Sequence, residues 1–189
     1  MAKHIRIYDL DMEYEVDYRN IKYPRIEFKT GRLFLVLPKN YEEASELIEK
    51  HKEWIYEKSL AIEAARNSAK GIKIESKSES ELKNFVNALV EKFSNETKVG
   101  SKEIHFRELK SKWGSCSVKG RLTFNLLLRY LPNDLIEYVV FHEVLHLKER
   151  NHNERFWNII SSRFENWQEK EKELLVYWFL TQDLIRKEH

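Results

Sequence analysis

From residue 5 to residue 38 apolar and polar side chains alternate, the two-residue period of strands with one buried face. The run RIEFKTGRLFLVLP (25–38) alternates on both sides of Thr30-Gly31, which predicts a hairpin using the positive φ open to Gly31. An earlier strand is expected from Glu13 to Arg19. At Tyr41 the period changes. Ala44, Leu47, Ile48, His51, Ile55 and Tyr56 recur three and four apart, so one helix is expected to about Ala69. The stretch AKGIKIESKSESE (69–81) is polar and carries the breakers Gly and Ser, which marks a linker. A second helix then shows Leu82, Phe85, Val86, Leu89, Val90 and Phe93 on one face.

EIHFREL (103–109) and RLTFNLLL (121–128) read as strands joined across a loop holding WGSCSVKG. Beyond Pro132, Asp134 and Glu137 resemble a capping box, so a helix is expected from about Leu135 to Arg150. It is apolar around most of its circumference, as a core helix is, so polar His142, Glu143 and His146 need an explanation. A short helix is expected from Asn153 and a last one from about Lys170 to Lys187, with Leu174, Tyr177, Trp178, Thr181, Leu184 and Ile185 on one face. Strands, helix, linker, helix, strands and helices in that order make an α+β chain. The expected division is 1–70, an N-terminal strand and helix region, and 71–189, a core with C-terminal helices.

Composition narrows the classes. The chain has 189 residues and a formal net charge of +2, enough for a sizeable core and too balanced to name a partner. Between 102 and 129, however, Lys102, Arg107, Lys110, Lys112, Lys119, Arg121 and Arg129 face only Glu103 and Glu108. That excess suits either a solvated strand face or an anionic substrate. Cys116 is the single cysteine, which excludes an internal disulfide framework. The charged N-terminus is unlike a signal peptide, and no apolar run reaches the ~20 residues of a membrane span. A cytoplasmic location is expected.

The chemistry concentrates in HEVLHLKERNH (142–152). His142 and His146 stand at i and i+4, so on a helix their rings project from one face, a turn apart. That spacing suits two imidazoles on one zinc at ~2.0–2.1 Å each. Glu143 points about 100° away, placed to act on a water at the metal as general base. His152 falls off this face unless the helix breaks first. Asn151, which tolerates the left-handed conformation, and Asn153, a capping residue, predict such a break. The ligand spacing equals that of metzincin proteases, with Glu149 where those have glycine. The competing reading makes His142 and His146 core histidines satisfied by hydrogen bonds. Phe156 and Trp157 are expected to pack beneath the site, and Arg155 can face it to bind a carboxylate or phosphate. Trp113, Ser115 and Ser117 belong either to a substrate-binding turn, with a serine donating to an oxyanion, or to a tight loop anchored by Trp113.

The runs KSKWGSCSVKGRLTFN (110–125) and YVVFHEVLHLKERNHNERFW (138–157) resemble the YgjP-type family of metal-dependent hydrolases, zincin-like proteins related to the SprT-like metallopeptidases. The resemblance covers about 103–160 and extends to 5–66 in layout only. It implies a zincin-like α+β fold, with N-terminal antiparallel strands plus a long helix and then a helix–strand–HExxH-helix core, His142, His146 and His152 as metal ligands and Glu143 as the catalytic residue. The activity expected is peptide hydrolysis with one Zn2+ or another divalent ion. Two further readings stay open: a nucleotide pyrophosphohydrolase using the same site, with Arg107, Lys112 or Arg155 clamping charge, and a DNA-associated protease. A zinc-stabilised binding module without activity is the third.

Overall fold

A computed structural model describes residues 3–29, 31–41, 44–70, 72, 74 and 76–188. Thr30 of the expected turn, Gly71, Lys73 and Glu75 of the expected linker, and the side chain of Ile185 lie outside that description. The chain forms two compact units, Met1–Asn67 and Ser68–His189.

In the first unit β1 (Lys3–Ile7), β2 (Leu10–Arg19), β3 (Arg25–Lys29) and β4 (Arg32–Pro38) build one sheet in the order β1-β2-β4-β3. The hairpin at Gly31 is present, with φ +74° at that residue. The sheet is not wholly antiparallel as expected: β2 pairs parallel with β4, Val16 opposite Leu35. β3 lies at the sheet edge, so the chain passes over before β4 returns beside β2. Leu33, Leu35 and Leu37 then point to one side and bury against Leu47, Ile48 and Ile55 of the following helices. Those helices are α1 (Ala44–Lys50) and α2 (Lys52–Ala69). The single helix expected here is interrupted at His51, whose N–H donates to the carbonyl of Ile48, a tighter i→i−3 step.

The second unit begins with α3 (Glu79–Thr97), started by a capping box in which Ser78 and Glu81 bond each other's backbone N–H. β5 (Glu103–Arg107), β6 (Gly114–Cys116) and β7 (Arg121–Asn125) form a sheet ordered β5-β7-β6, with β5 parallel and β6 antiparallel to β7. The WGSCS segment is therefore itself a strand in its centre, at the edge of this sheet. β7 ends earlier than the apolar run suggests, because Asn125 accepts from Leu127 N–H and starts a 3-10 turn over Leu126–Tyr130. α4 (Asn133–Leu145), α5 (Glu154–Arg163) and α6 (Trp167–Glu188) follow.

α4 is the axis of this unit. Leu135, Ile136, Val140, Val144 and Leu145 are completely excluded from solvent, and they share a core with Leu82, Val86 and Phe93 of α3 and Phe124 of β7. Its start differs from expectation. Pro132 is the N-cap and makes no side-chain cap bond. Asp134 bonds the Lys170 ammonium of α6 at 2.8 Å, and Glu137 lies 3.5 Å from Lys92 and Arg163, so the two acidic groups serve tertiary contacts instead. α6 closes the core with Leu174 and Trp178; the latter meets Trp113 edge to face, ring centres 5.1 Å apart.

Candidate metal centre

The centre is built where α4 ends. The helix stops at Leu145, about five residues before the expected end, because the next N–H groups step back to i→i−3: Leu147 to Val144 O and Lys148 to Leu145 O. His146 Nδ1 lies 2.9 Å from Glu149 O and closes this turn. Asn151 contributes no left-handed residue, since among the described non-glycine residues only Tyr8 and Lys98 have positive φ. The bend comes instead from those tightened bonds and from Asn153 N–H donating to Asn151 O at 2.8 Å. Asn153 then caps α5 by accepting from Phe156 N–H at 2.9 Å.

The result brings three imidazoles together. Ring centres of His142, His146 and His152 stand 4.9, 4.9 and 4.8 Å apart, and His142 Nε2 is 2.9 Å from His152 Nε2. One nitrogen from each lies within 4.8 Å of the others. Tetrahedral ligands ~2.0–2.1 Å from one ion are ~3.3 Å apart, so closing the widest pair by no more than ~1.5 Å would seat a cation there. Phe156 is the floor: fully buried, its ring centre is 4.9, 4.8 and 4.7 Å from the three histidines. Trp157 lies against His152 at 5.5 Å.

Burial pushes the His142 imidazolium down to about 3, with the neighbouring histidines adding to the effect. Burial likewise lowers His146, against the opposing bond to Glu149 O, and lowers His152. All three are thus neutral near pH 7, the state whose lone pairs bind metal. The donor set fits a borderline divalent ion such as zinc, with His146 presenting the nitrogen that Glu149 leaves free.

Glu143 is 8% exposed and faces β6. A Cβ placed on Gly114 would lie 2.6 Å from its Cγ and 2.9 Å from its Oε1, so only a glycine permits this approach. Burial raises the carboxyl to about 7, opposed by the positive charge of Lys112. A bound cation acts in the same direction as Lys112. Glu143, the three histidines, Gly114, Ser115, Cys116 and Arg150 line one cleft of about 310 Å³. Burial and Glu143 together raise the Cys116 thiol, which keeps it protonated.

The other residues singled out from sequence fall elsewhere. Trp113 packs on the core, its indole N–H donating to Leu174 O at 3.3 Å. Arg155 pairs with Glu149 at 3.0 Å and lines a separate groove of about 720 Å³ between α3 and α5. In the basic run, Arg121 is paired with Glu103 at 2.6 Å. The strand beside α4 is β6; β5 stops at Arg107, and residues 108–113 form a loop. Asn125 explains why: fully buried, its Nδ2 donates to Leu109 O and Lys112 O, each at 2.9 Å, and its N–H donates to Trp113 O. Those bonds hold the 109–113 loop in place, and β6 emerges from it. Sequence reasoning misses Asn125 and Arg150, and takes Gly114 only as a small residue of the WGSCS segment, not as the residue that Glu143 packs against. Arg150 stands four residues after His146, a spacing that was available as a signal.

Comparison with known proteins gives the class. Residues 65–176 of 189, more than half of the chain, match the family model described as YgjP-like, metallopeptidase domain, which makes this a metal-dependent hydrolase. The chain belongs to the YgjP-like metallopeptidase family. No curated protein matches it. Seven chains of solved structures do. One is the metallopeptidase zymogen of Pyrococcus abyssi abylysin, 25% identical, covering 48% of this chain and 91% of that one with a TM-score of 0.44. Another is the metallopeptidase zymogen of Methanocaldococcus jannaschii jannalysin, also 25% identical, covering 62% and 96% with a TM-score of 0.41. Among the described residues no helix is long and apolar enough to cross a membrane.

Proposed function

We propose that this chain is a zinc peptidase of zincin-like build, with residues 71–189 as its catalytic core, His142, His146 and His152 as ligands and Glu143 as general base. The observation that carries this reading is the meeting of three neutral imidazoles and one buried carboxylate in a single cleft beside an unpaired strand edge.

His142, His146 and His152 would hold the zinc ion, which when bound would supply Lewis acidity toward water and a peptide carbonyl. Glu143 takes the proton of the attacking water and hands it to the departing amine. Gly114 sets where it does so, because the absence of a side chain there lets the carboxylate lie against β6. The outer edge of β6 has no strand partner among the described residues and accepts an extended peptide as a further strand. Ser115, on the same strand and lining the cleft, donates to the oxygen that gains charge. No specific observation favours the nucleotide or nucleic-acid readings over this one.

Glu143→Gln is the test. The variant is expected to retain its zinc by elemental analysis while peptide turnover falls ~10²–10⁴-fold, the range for a lost general base. Turnover at the wild-type level in a zinc-loaded Glu143→Gln protein overturns the assignment.

A further inference from the structure

Arg150 has no role in the mechanism above, yet it lines the same cleft as the histidines and Glu143. Two backbone carbonyls of the turn between β6 and β7 hold its guanidinium: Nη1 donates to Ser117 O at 3.2 Å and Nη2 to Val118 O at 2.9 Å. A guanidinium carries five N–H donors, so these two bonds leave three uncommitted. The side chain is exposed, and among the described residues it has no carboxylate partner, unlike neighbouring Arg155, which Glu149 neutralises. Arg150 shares the cleft wall with Gly114, Ser115 and Cys116 of β6. Lys112 adds a second positive charge near Glu143. A fork held at two of its donors, with the others free and no carboxylate partner among the described residues, suits a planar anion.

We infer that Arg150 is a specificity-determining residue that receives a substrate carboxylate, so that the cleft prefers peptides bearing an acidic group beside the scissile bond. The inference rests on the peptidase reading for its substrate class. Two sources share the chemistry, an Asp or Glu side chain and a free C-terminus. Binding without turnover separates this inference from the peptidase reading, and zinc-loaded Glu143→Gln protein serves for it.

Three matched fluorescent peptides are titrated by anisotropy: one neutral and amidated, one with an internal Glu and an amidated end, one neutral with a free C-terminal carboxylate. One of the two acidic peptides is expected to bind about tenfold more tightly than the neutral one, the gain of a partly exposed charge-assisted pair. Which of the two gains identifies the source. In Glu143→Gln/Arg150→Met the ratio is expected to fall to about one. In Glu143→Gln/Arg150→Lys, which keeps the charge and loses the fork, it falls to an intermediate value. Because Arg150 also ties down the β6–β7 turn, thermal midpoint and zinc content are measured on each variant. If Arg150→Met fails to fold, the Arg150→Lys ratio decides. Equal binding of all three peptides, or a preference that survives Arg150→Met or is undiminished in Arg150→Lys, overturns the inference. Loss of affinity for all three alike assigns Arg150 a purely structural tie and overturns it too.

Discussion

Gly114→Ala is the most economical probe of this centre, since it adds one methyl group while leaving the three histidines and Glu143 themselves unreplaced. The added carbon would sit 2.6 Å from Glu143 Cγ and 2.9 Å from Oε1. Carbon atoms rest at ~3.5–4.0 Å, so the Glu143 side chain must retreat by ~1 Å. Gly114 has no positive φ, and alanine is therefore tolerated by the backbone. The strain of overpacking, ~1–3 kcal/mol, is partly offset by ~0.4–1 kcal/mol from a less flexible unfolded chain. The net loss of stability should thus lie within ~0–2.6 kcal/mol, which leaves the protein folded. Catalysis should not escape, because a 1 Å misplacement of a reacting group costs about 10²-fold, or ~2.7 kcal/mol of barrier. The assay is kcat/KM on a fluorogenic peptide, with zinc content and thermal midpoint measured on the same sample. Wild-type kcat/KM in a folded, zinc-loaded Gly114→Ala protein would refute the idea that contact with β6 positions the carboxylate.

Other outcomes follow from the same geometry. Chelation should lower the thermal midpoint of the wild-type protein, since an ion at 100 times its Kd adds ~2.7 kcal/mol, and His152→Ala should show the lower midpoint with no further response to chelator. Asn125→Ala leaves two part-buried carbonyls and the buried Leu127 N–H without this partner, so urea titration should show a loss of ~1–3 kcal/mol, accompanied by weaker zinc retention as β6 loosens. Burial pushes the Asp134 carboxyl up, but the bond and charge of Lys170, with backbone bonds, carry it below the usual range. Its contribution is therefore full above the unfolded-state value of ~3.9 and is lost as pH falls through the lower folded value. Asp134→Asn should flatten that part of the acid unfolding curve relative to wild type.

Much of this architecture could be read from residue order alone. The hairpin at Gly31, the apolar face of α3 and the histidine spacing are local signals, and local physics carried them into the structure. What escaped was set by distant partners. Three residues, Gly-Ser-Cys, have no strand propensity to speak of; β6 exists because Gly114 pairs with Phe124 across the sheet. The parallel pairing of β2 with β4 depends on where β3 goes, which alternation does not encode. The end of α4 was misplaced because Leu147, Lys148 and Glu149 have good helix propensity, while the competing bond from His146 to Glu149 O is visible only in three dimensions. The meeting of three histidines was legible; the packing of Glu143 against Gly114 and the place of Arg150 in the same cleft were set by contacts distant in sequence.

Phe156 has a consequence for how such a protein fails. Its ring belongs to the oily interior and simultaneously props up every nitrogen donor, so the ion's grip is a gauge of how firmly the interior is assembled. Heat, denaturant or a distant void that slackens the packing under α5 reaches the donors through this one side chain. Activity should therefore fade before the polypeptide comes apart.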